Sequence, residues 1–155
     1  MAKLEIGTID VYVIQPHGRL AEWRVLTLQR ALDTRCPTAW ETVHGRLEAG
    51  EEPEQGALRE VAEETGLAIE RLYNVTVQPF YLHRSNTVEL SVVFAAFVAE
   101  GPVRLGSEHQ AFAWRTVDDA LATLVWPRER AALRDIVQLL GDGDAGAVED
   151  VLRVF

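Results

Sequence analysis

The chain reads as short runs of β-branched and aromatic residues interrupted by stretches with helical spacing. Residues Glu5 to Gln15, EIGTIDVYVIQ, end on Pro16-His17-Gly18 and predict a strand followed by a turn. Asp10 breaks the apolar run. An edge position is the preferred reading, ahead of a side chain pointing into a ligand cleft. Glu22 to Arg30 is the second predicted strand, with Trp23, Val25, Leu26 and Leu28 as its buried members, and Ala31 to Pro37 is a loop. Trp40 to His44 predicts a short strand, and residues 68–81 an extended segment ending near Pro79. Val88 to Ala99 is the most apolar run and should be a central strand buried on both faces. Leu105 to Trp114 reads as a loop leading into a strand.

Helical signals fall in two other places besides the middle of the chain. Thr116 is the expected N-cap of a short helix Val117–Leu124, with Asp118 and Asp119 in the first turn favouring its dipole. From Arg128 to Leu140, apolar residues at Ala132, Leu133, Ile136, Val137 and Leu140 define an amphipathic helix. Val148 to Phe155 reads as a tail that docks weakly or packs on a partner. In the middle, Pro53 stands where a first helical turn begins and Gly66 where a helix stops, giving a helix from about Pro53 to Thr65. On a helical wheel Glu60 and Glu64 share a column, Glu63 lies about 60° away, and Leu58, Val61 and Ala62 take the opposite side as the expected core face. Strands broken by one internal helix and closed by another predict an α/β domain, with helices on both sides of a mixed sheet.

Composition narrows the function. A length of 155 residues suits one domain, 1–155, with a real core, and contents of 48% hydrophobic and 25% charged residues are ordinary for a globular protein. The start, MAKLEIGTIDVYVIQP, has no long apolar segment of the signal-peptide kind, and no run reaches the length of a membrane helix. One cysteine, Cys36, permits no intramolecular disulfide and no cysteine-ligated zinc, so a cytoplasmic location is the default expectation. The net charge of −9 lacks the basic footprint of a protein that binds long DNA or RNA. An acidic protein that handles a polyphosphate must neutralise it locally, through metal ions held by carboxylates with help from a few arginines.

The carboxylates for that task are concentrated in GRLEAGEEPEQGALREVAEETGL, Gly45 to Leu67. Like charges at i,i+3 and i,i+4 each cost a helix roughly 0.2–0.5 kcal/mol unless something offsets them, and a divalent cation would. An acidic helix face by itself is more often solvated surface. The spacing is more particular: Gly45, five residues, Glu51, seven residues, Arg59-Glu60, then Val61, Ala62, Glu63-Glu64, Thr65, Gly66 and Leu67. This resembles the Nudix box, the signature of hydrolases acting on nucleoside diphosphates linked to another group. The resemblance implies an α/β/α sandwich, a Nudix fold with a central mixed sheet. It also implies a pyrophosphohydrolase using Mg²⁺, or Mn²⁺, to activate a water. Glu60, Glu63 and Glu64 inherit the role of catalytic metal ligands, joined by the backbone carbonyl near Gly45. Arg59 and Glu51 look structural, as an ion pair between helix and loop, and Arg59 is also placed for an i,i+4 pair with Glu63.

Outside the box, EHQAFAW (Glu108 to Trp114) resembles the EHxAYxW segment of two Nudix groups. These are the dihydroneopterin triphosphate and dATP pyrophosphohydrolases and the asymmetric diadenosine tetraphosphate hydrolases. Glu108 thereby becomes the candidate general base or further metal ligand, whereas His109 reads as a solvated or hydrogen-bonded loop residue. LQRALDTRCPTAWETVHG resembles the first group's entry to its box, which makes Arg30 a candidate phosphate contact; His44 stands there where that group has threonine. Trp126-Pro127-Arg128-Glu129-Arg130 is loosely similar to another segment of that group, near the end of its last helix. The expected substrate is a small nucleoside triphosphate-like molecule, with diadenosine polyphosphates as the alternative. A catalytically silent nucleotide-binding module is the rival reading, and the full set of box carboxylates tells against it. Dimers occur among relatives, so a homodimer remains an open expectation.

Overall fold

A computed structural model describes residues 1–155. The strands are β1 (Lys3–Gln15), β2 (Arg24–Arg30), β3 (Trp40–Glu41), β4 (Val43–Arg46), β5 (Ile69–Leu82), β6 (Thr87–Val98) and β7 (His109–Arg115). The helices are α1 (Pro53–Thr65), α2 (Val117–Thr123), α3 (Pro127–Leu140) and the short α4 (Glu149–Leu152). β1 is the axis of a seven-stranded mixed sheet ordered β3-β2-β1-β6-β5, with β4 also on β1 and β7 also on β2. It runs parallel to β6 along almost its whole length and antiparallel to β2 and β4 on its other side. No helix is long and apolar enough to cross a membrane.

Strand alternation sorts side chains into two cores, one on each face of the sheet. Ile9, Val11 and Val13 of β1, with Phe94, Ala96 and Val98 of β6, pack beneath Ala57 and Val61 of α1. Tyr12 and Ile14, with Val93, Ala95 and Phe97, pack against Ala132, Leu133, Ile136 and Leu140 of α3 and Ala120 of α2. Fully burying each such Val, Leu, Ile or Phe contributes roughly 1.5–3 kcal/mol, so covering both faces of the sheet with helices is a main source of its stability. The result is the α/β/α sandwich the pattern predicts.

Several local expectations change. Asp10 is fully buried on the central strand, not at an edge. Trp40 to His44 forms two strands divided at Thr42, because β3 pairs with β2 while β4 crosses to β1. β5 continues past Pro79 to Leu82; it is the last strand in the sheet order, so a residue without an N–H is tolerated there. On α1, Leu58 and Ala62 are exposed, and the buried stripe is Ala57, Glu60, Val61, Glu64 and Thr65. The spacing i, i+3, i+4, i+7, i+8 is that of a core-facing helix, so two of the glutamates lie on the buried side. The amphipathic helix expected from Arg128 to Leu140 forms as α3, with Trp126 at its N-cap position and Pro127 in its first turn. The tail docks: Val154 donates to the Leu72 carbonyl at 2.8 Å and the Leu72 N–H donates to Phe155 at 3.1 Å.

Candidate active site

The loop before α1 and the helix itself are joined through one guanidinium. Arg59 forks onto Glu51, Nε to Oε1 at 2.7 Å and Nη2 to Oε2 at 2.8 Å, and Nη2 also donates to the Arg46 carbonyl at 2.9 Å. Its Nη1 reaches Glu60 Oε1 at 2.7 Å and Glu63 Oε2 at 3.3 Å. One side chain thus ties the loop, the end of β4 and the acidic face of α1 together. The paired Arg59 charge and the Glu48 N–H hold the Glu51 carboxyl down at about 2. Gly66 closes the helix at φ 70°, a left-handed conformation that costs a residue with a Cβ.

Glycine also decides how close Glu60 stands to the sheet. A Cβ on Gly45 would lie 2.1 Å from the Glu60 Cδ, so the carboxylate passes over β4 only because that position is bare. On the far side, a Cβ on Gly106 would come within 3.1 Å of the Glu63 carbonyl. This close approach brings the 105–108 segment against the end of α1, and the Ala31 N–H donating to the Glu108 carbonyl at 2.9 Å fixes it to β2.

These contacts gather Gly45, Glu60, Glu63, Glu64 and Glu108, with His44 and Arg59, around a cavity of about 540 Å³. Glu64 is the most telling of them. It is buried, and its Oε2 has no hydrogen-bond partner. Burial, reinforced by the charges of Glu60, Glu41 and Glu108, pushes its carboxyl up to about 10. Glu60 is raised as well, by burial first and by Glu63 and Glu108 next, against the lowering effect of Arg59. A buried carboxylate without a counter-charge is costly, and a cation is the direct remedy. The oxygen-rich donor set suits a hard divalent ion. The side chains converge on one cavity without closing up, since no three acidic or histidine groups stand near enough to form a ready-made chelate.

His44 and Arg30 lie on the border of a second cavity, of about 560 Å³, against the first. His44 belongs to both; its Nδ1 is 2.8 Å from Asp10 Oδ1. Arg30 faces only the second cavity, with Nη1 on Glu41 Oε1 at 2.8 Å. His109 is buried at the start of β7, not solvated, with Nε2 2.9 Å from the same Glu41 oxygen. Burial pushes Glu41 up, but the hydrogen bonds from His109 and Arg30 outweigh it and hold the carboxyl below its usual value. Sequence reading gave no role to Glu41 or Phe80, and took Arg128 and Glu129 only as part of a loosely similar segment. Their partners lie far along the chain, so the signal is in three dimensions.

The α/β/α sandwich thus sets buried carboxylates, rich in oxygen donors, around a half-open cavity. The NUDIX domain family model matches residues 6–136, and the chain belongs to that family. It is 38% identical over 120 residues to an octanoyltransferase of Myxococcus xanthus, covering 76% of this chain but 32% of that protein. The chain therefore spans about a third of that relative's length. It is 27% identical over 124 residues to an RNA pyrophosphohydrolase of Cereibacter sphaeroides, covering 68% of this chain and 75% of that one. Among solved structures, the MutT protein from Methanosarcina mazei Go1 superposes with a TM-score of 0.73 at 21% identity, over 89% of this chain and 96% of its own. At that identity the likeness concerns the fold.

Proposed function

We propose that this chain is a divalent-metal-dependent pyrophosphohydrolase acting on a small nucleoside triphosphate-like substrate, such as a deoxynucleoside triphosphate or dihydroneopterin triphosphate. The observation that carries the reading is Glu64, whose buried, unpartnered oxygen sits among Glu60, Glu63 and Glu108 in one cavity. Family membership and the RNA pyrophosphohydrolase relative support the reaction class. Glu60, Glu63 and Glu64, with the Gly45 carbonyl and Glu108, would hold Mg²⁺ or Mn²⁺. Once bound, the metal supplies an activated water and neutralises the departing pyrophosphate.

The chain's own residues do the rest. Arg59 keeps Glu60 and Glu63 oriented and leaves Glu64, which it does not touch, as the carboxylate with most to gain from a cation. Glu108, which lines the same cavity, would accept a proton from the attacking water. His44 borders the carboxylate cavity and the second cavity, where a phosphate chain would cross between them. Catalysis on such a frame is mostly charge stabilisation and positioning.

The test is pyrophosphate release from a nucleotide panel with Mg²⁺. Glu64→Gln should lose at least about a hundredfold in kcat, in the range seen when one such electrostatic group is removed. Full activity in that variant would overturn the metal assignment. Tight nucleotide binding without turnover by the wild-type protein would favour the silent-module reading instead.

A further inference from the structure

The second cavity is chemically unlike the first. Its lining includes Phe80, Tyr81 and Trp126, together with Arg30, Arg35 and Arg128. Aromatic faces beside guanidinium groups in a space of about 560 Å³ suit a flat, polar ring system, well within the size range of small-ligand sites.

Arg128 is held in a way that leaves it half-used. Its Cζ stacks 4.7 Å above the Phe80 ring. Its Nη1 is committed to Oδ2 of Asp10, a fully buried carboxylate that also accepts from Ser91 Oγ at 2.6 Å and meets His44 Nδ1 at 2.8 Å. Gln78 fixes the backbone, donating to the Arg128 carbonyl at 2.8 Å. The Nε and Nη2 donors of Arg128 make no protein hydrogen bond, although the side chain lines the cavity and is only 21% exposed. Arg30, by contrast, divides its donors between Glu41 Oε1, which Nη1 meets at 2.8 Å, and the Arg35 carbonyl, which accepts from Nε. A planar guanidinium immobilised by stacking and by a buried counter-charge, with donors to spare, is a preorganised fork.

Such a fork matches two acceptors side by side: a ring carbonyl next to an unprotonated ring nitrogen. Guanine-type purines present that edge through O6 and N7, and 4-oxopteridines present it through O4 and N5. Adenine replaces the carbonyl by an amino donor, which opposes the guanidinium, and pyrimidines lack the fused second ring.

We propose that this cavity recognises a fused bicyclic ring with a carbonyl beside a ring nitrogen, and that Arg128 is the specificity-determining residue. The inference rests on the hydrolase reading above, because the ring is the part of the substrate left when its phosphates lie in the carboxylate cavity. His44 sits at the junction.

The test is equilibrium binding to the full chain with Mg²⁺, read by tryptophan fluorescence and by calorimetry. The probes are α,β-methylene triphosphates of guanosine, neopterin, adenosine and cytidine, with inorganic tripolyphosphate as the ring-free control. Guanosine or neopterin should bind at least about tenfold more tightly than adenosine, the discrimination a good bidentate pair supplies, and more tightly than cytidine, whose O2 and N3 also meet the fork but whose single ring covers less of the aromatic lining. The ratio between the first two identifies which ring system is preferred. Arg128→Lys keeps a charge opposite Asp10 but removes the fork, so it should fold, as a thermal melt checks. That variant should lose the preference to within about threefold and bind tripolyphosphate as the wild type does. Equal affinities across the four rings in the wild type, or full retention of the preference in the lysine variant, would overturn the proposal. Turnover without ring preference defeats this inference and leaves the hydrolase reading standing. Ring preference without turnover does the reverse.

Discussion

Single residues carry the charge logic of this site. Glu64 has a raised carboxyl, so the metal-free fold binds its proton more tightly than the unfolded chain does. The associated stability is present below the ordinary carboxyl value of 4.5 and is lost as pH rises towards about 10. A cation should restore it. The expected outcome is that the gain in Tm on adding Mg²⁺ grows between pH 5.5 and 8.5, while Glu64→Gln flattens the metal-free profile. Scanning calorimetry across that range checks both, and an unchanged slope in the variant would count against Glu64 as the source. Gly45 makes a complementary prediction. Its φ is not in the left-handed region, so alanine fits the backbone, yet its Cβ would collide with the Glu60 carboxyl group. Gly45→Ala should keep a cooperative melt and lose at least about tenfold in metal affinity, the scale on which disturbed ligand orientation is felt. Titration of Mn²⁺ followed by electron paramagnetic resonance would read it.

At the scale of elements, α1 shows why a wheel drawn without a partner is ambiguous. The limits of the helix follow from Pro53 and Gly66 and hold in the structure. Which side is buried depends on the sheet beneath it. Val61 and Ala57 meet the core, and the stripe they define takes Glu60 and Glu64 along, leaving Leu58 outside. Val61→Ala should therefore cost about 2 kcal/mol, whereas Leu58→Lys should stay within about 0.5 kcal/mol of wild type, both by urea unfolding. Gly66→Ala, forced to a positive φ, should cost about 1–2 kcal/mol in the same assay. β1 teaches a similar lesson. Asp10 shares its face with Tyr12 and Ile14, and the packing of α3 on that face is what buries it beside Arg128 and His44.

For the whole molecule, the sandwich buries one more charge-bearing group that the proposed reaction does not use. Glu129, in the first turn of α3, is fully buried; its Oε2 accepts from the Thr42 N–H at 2.7 Å, and its Oε1 has no partner. Burial, with Asp10 next, drives its carboxyl well above the usual range. Its stabilising contribution is therefore complete below the ordinary carboxyl value and is lost as pH rises through the folded one. Glu129→Gln, which cannot ionise, should melt at nearly the wild-type temperature near pH 4 and at a progressively higher one as pH rises towards 9.5. A Tm–pH series on the metal-free protein tests this apart from the carboxylate cavity.

Much of this arrangement was legible in one dimension. Strand and helix limits follow from local steric preferences and from hydrophobic period, and the box spacing places Glu60, Glu63 and Glu64 on one helix with Arg59 beside Glu51. These are short-range properties, fixed within a few turns of chain. Tertiary structure alone decided that β1 is central, that Asp10 and Glu129 are buried, and that His109 and Arg30 share Glu41 across 68 and 11 positions of sequence. It alone decided that Arg128 lies over Phe80 with free donors. Burial and charge partners depend on what packs across a sheet, and no local pattern encodes the neighbour that a strand or helix will meet.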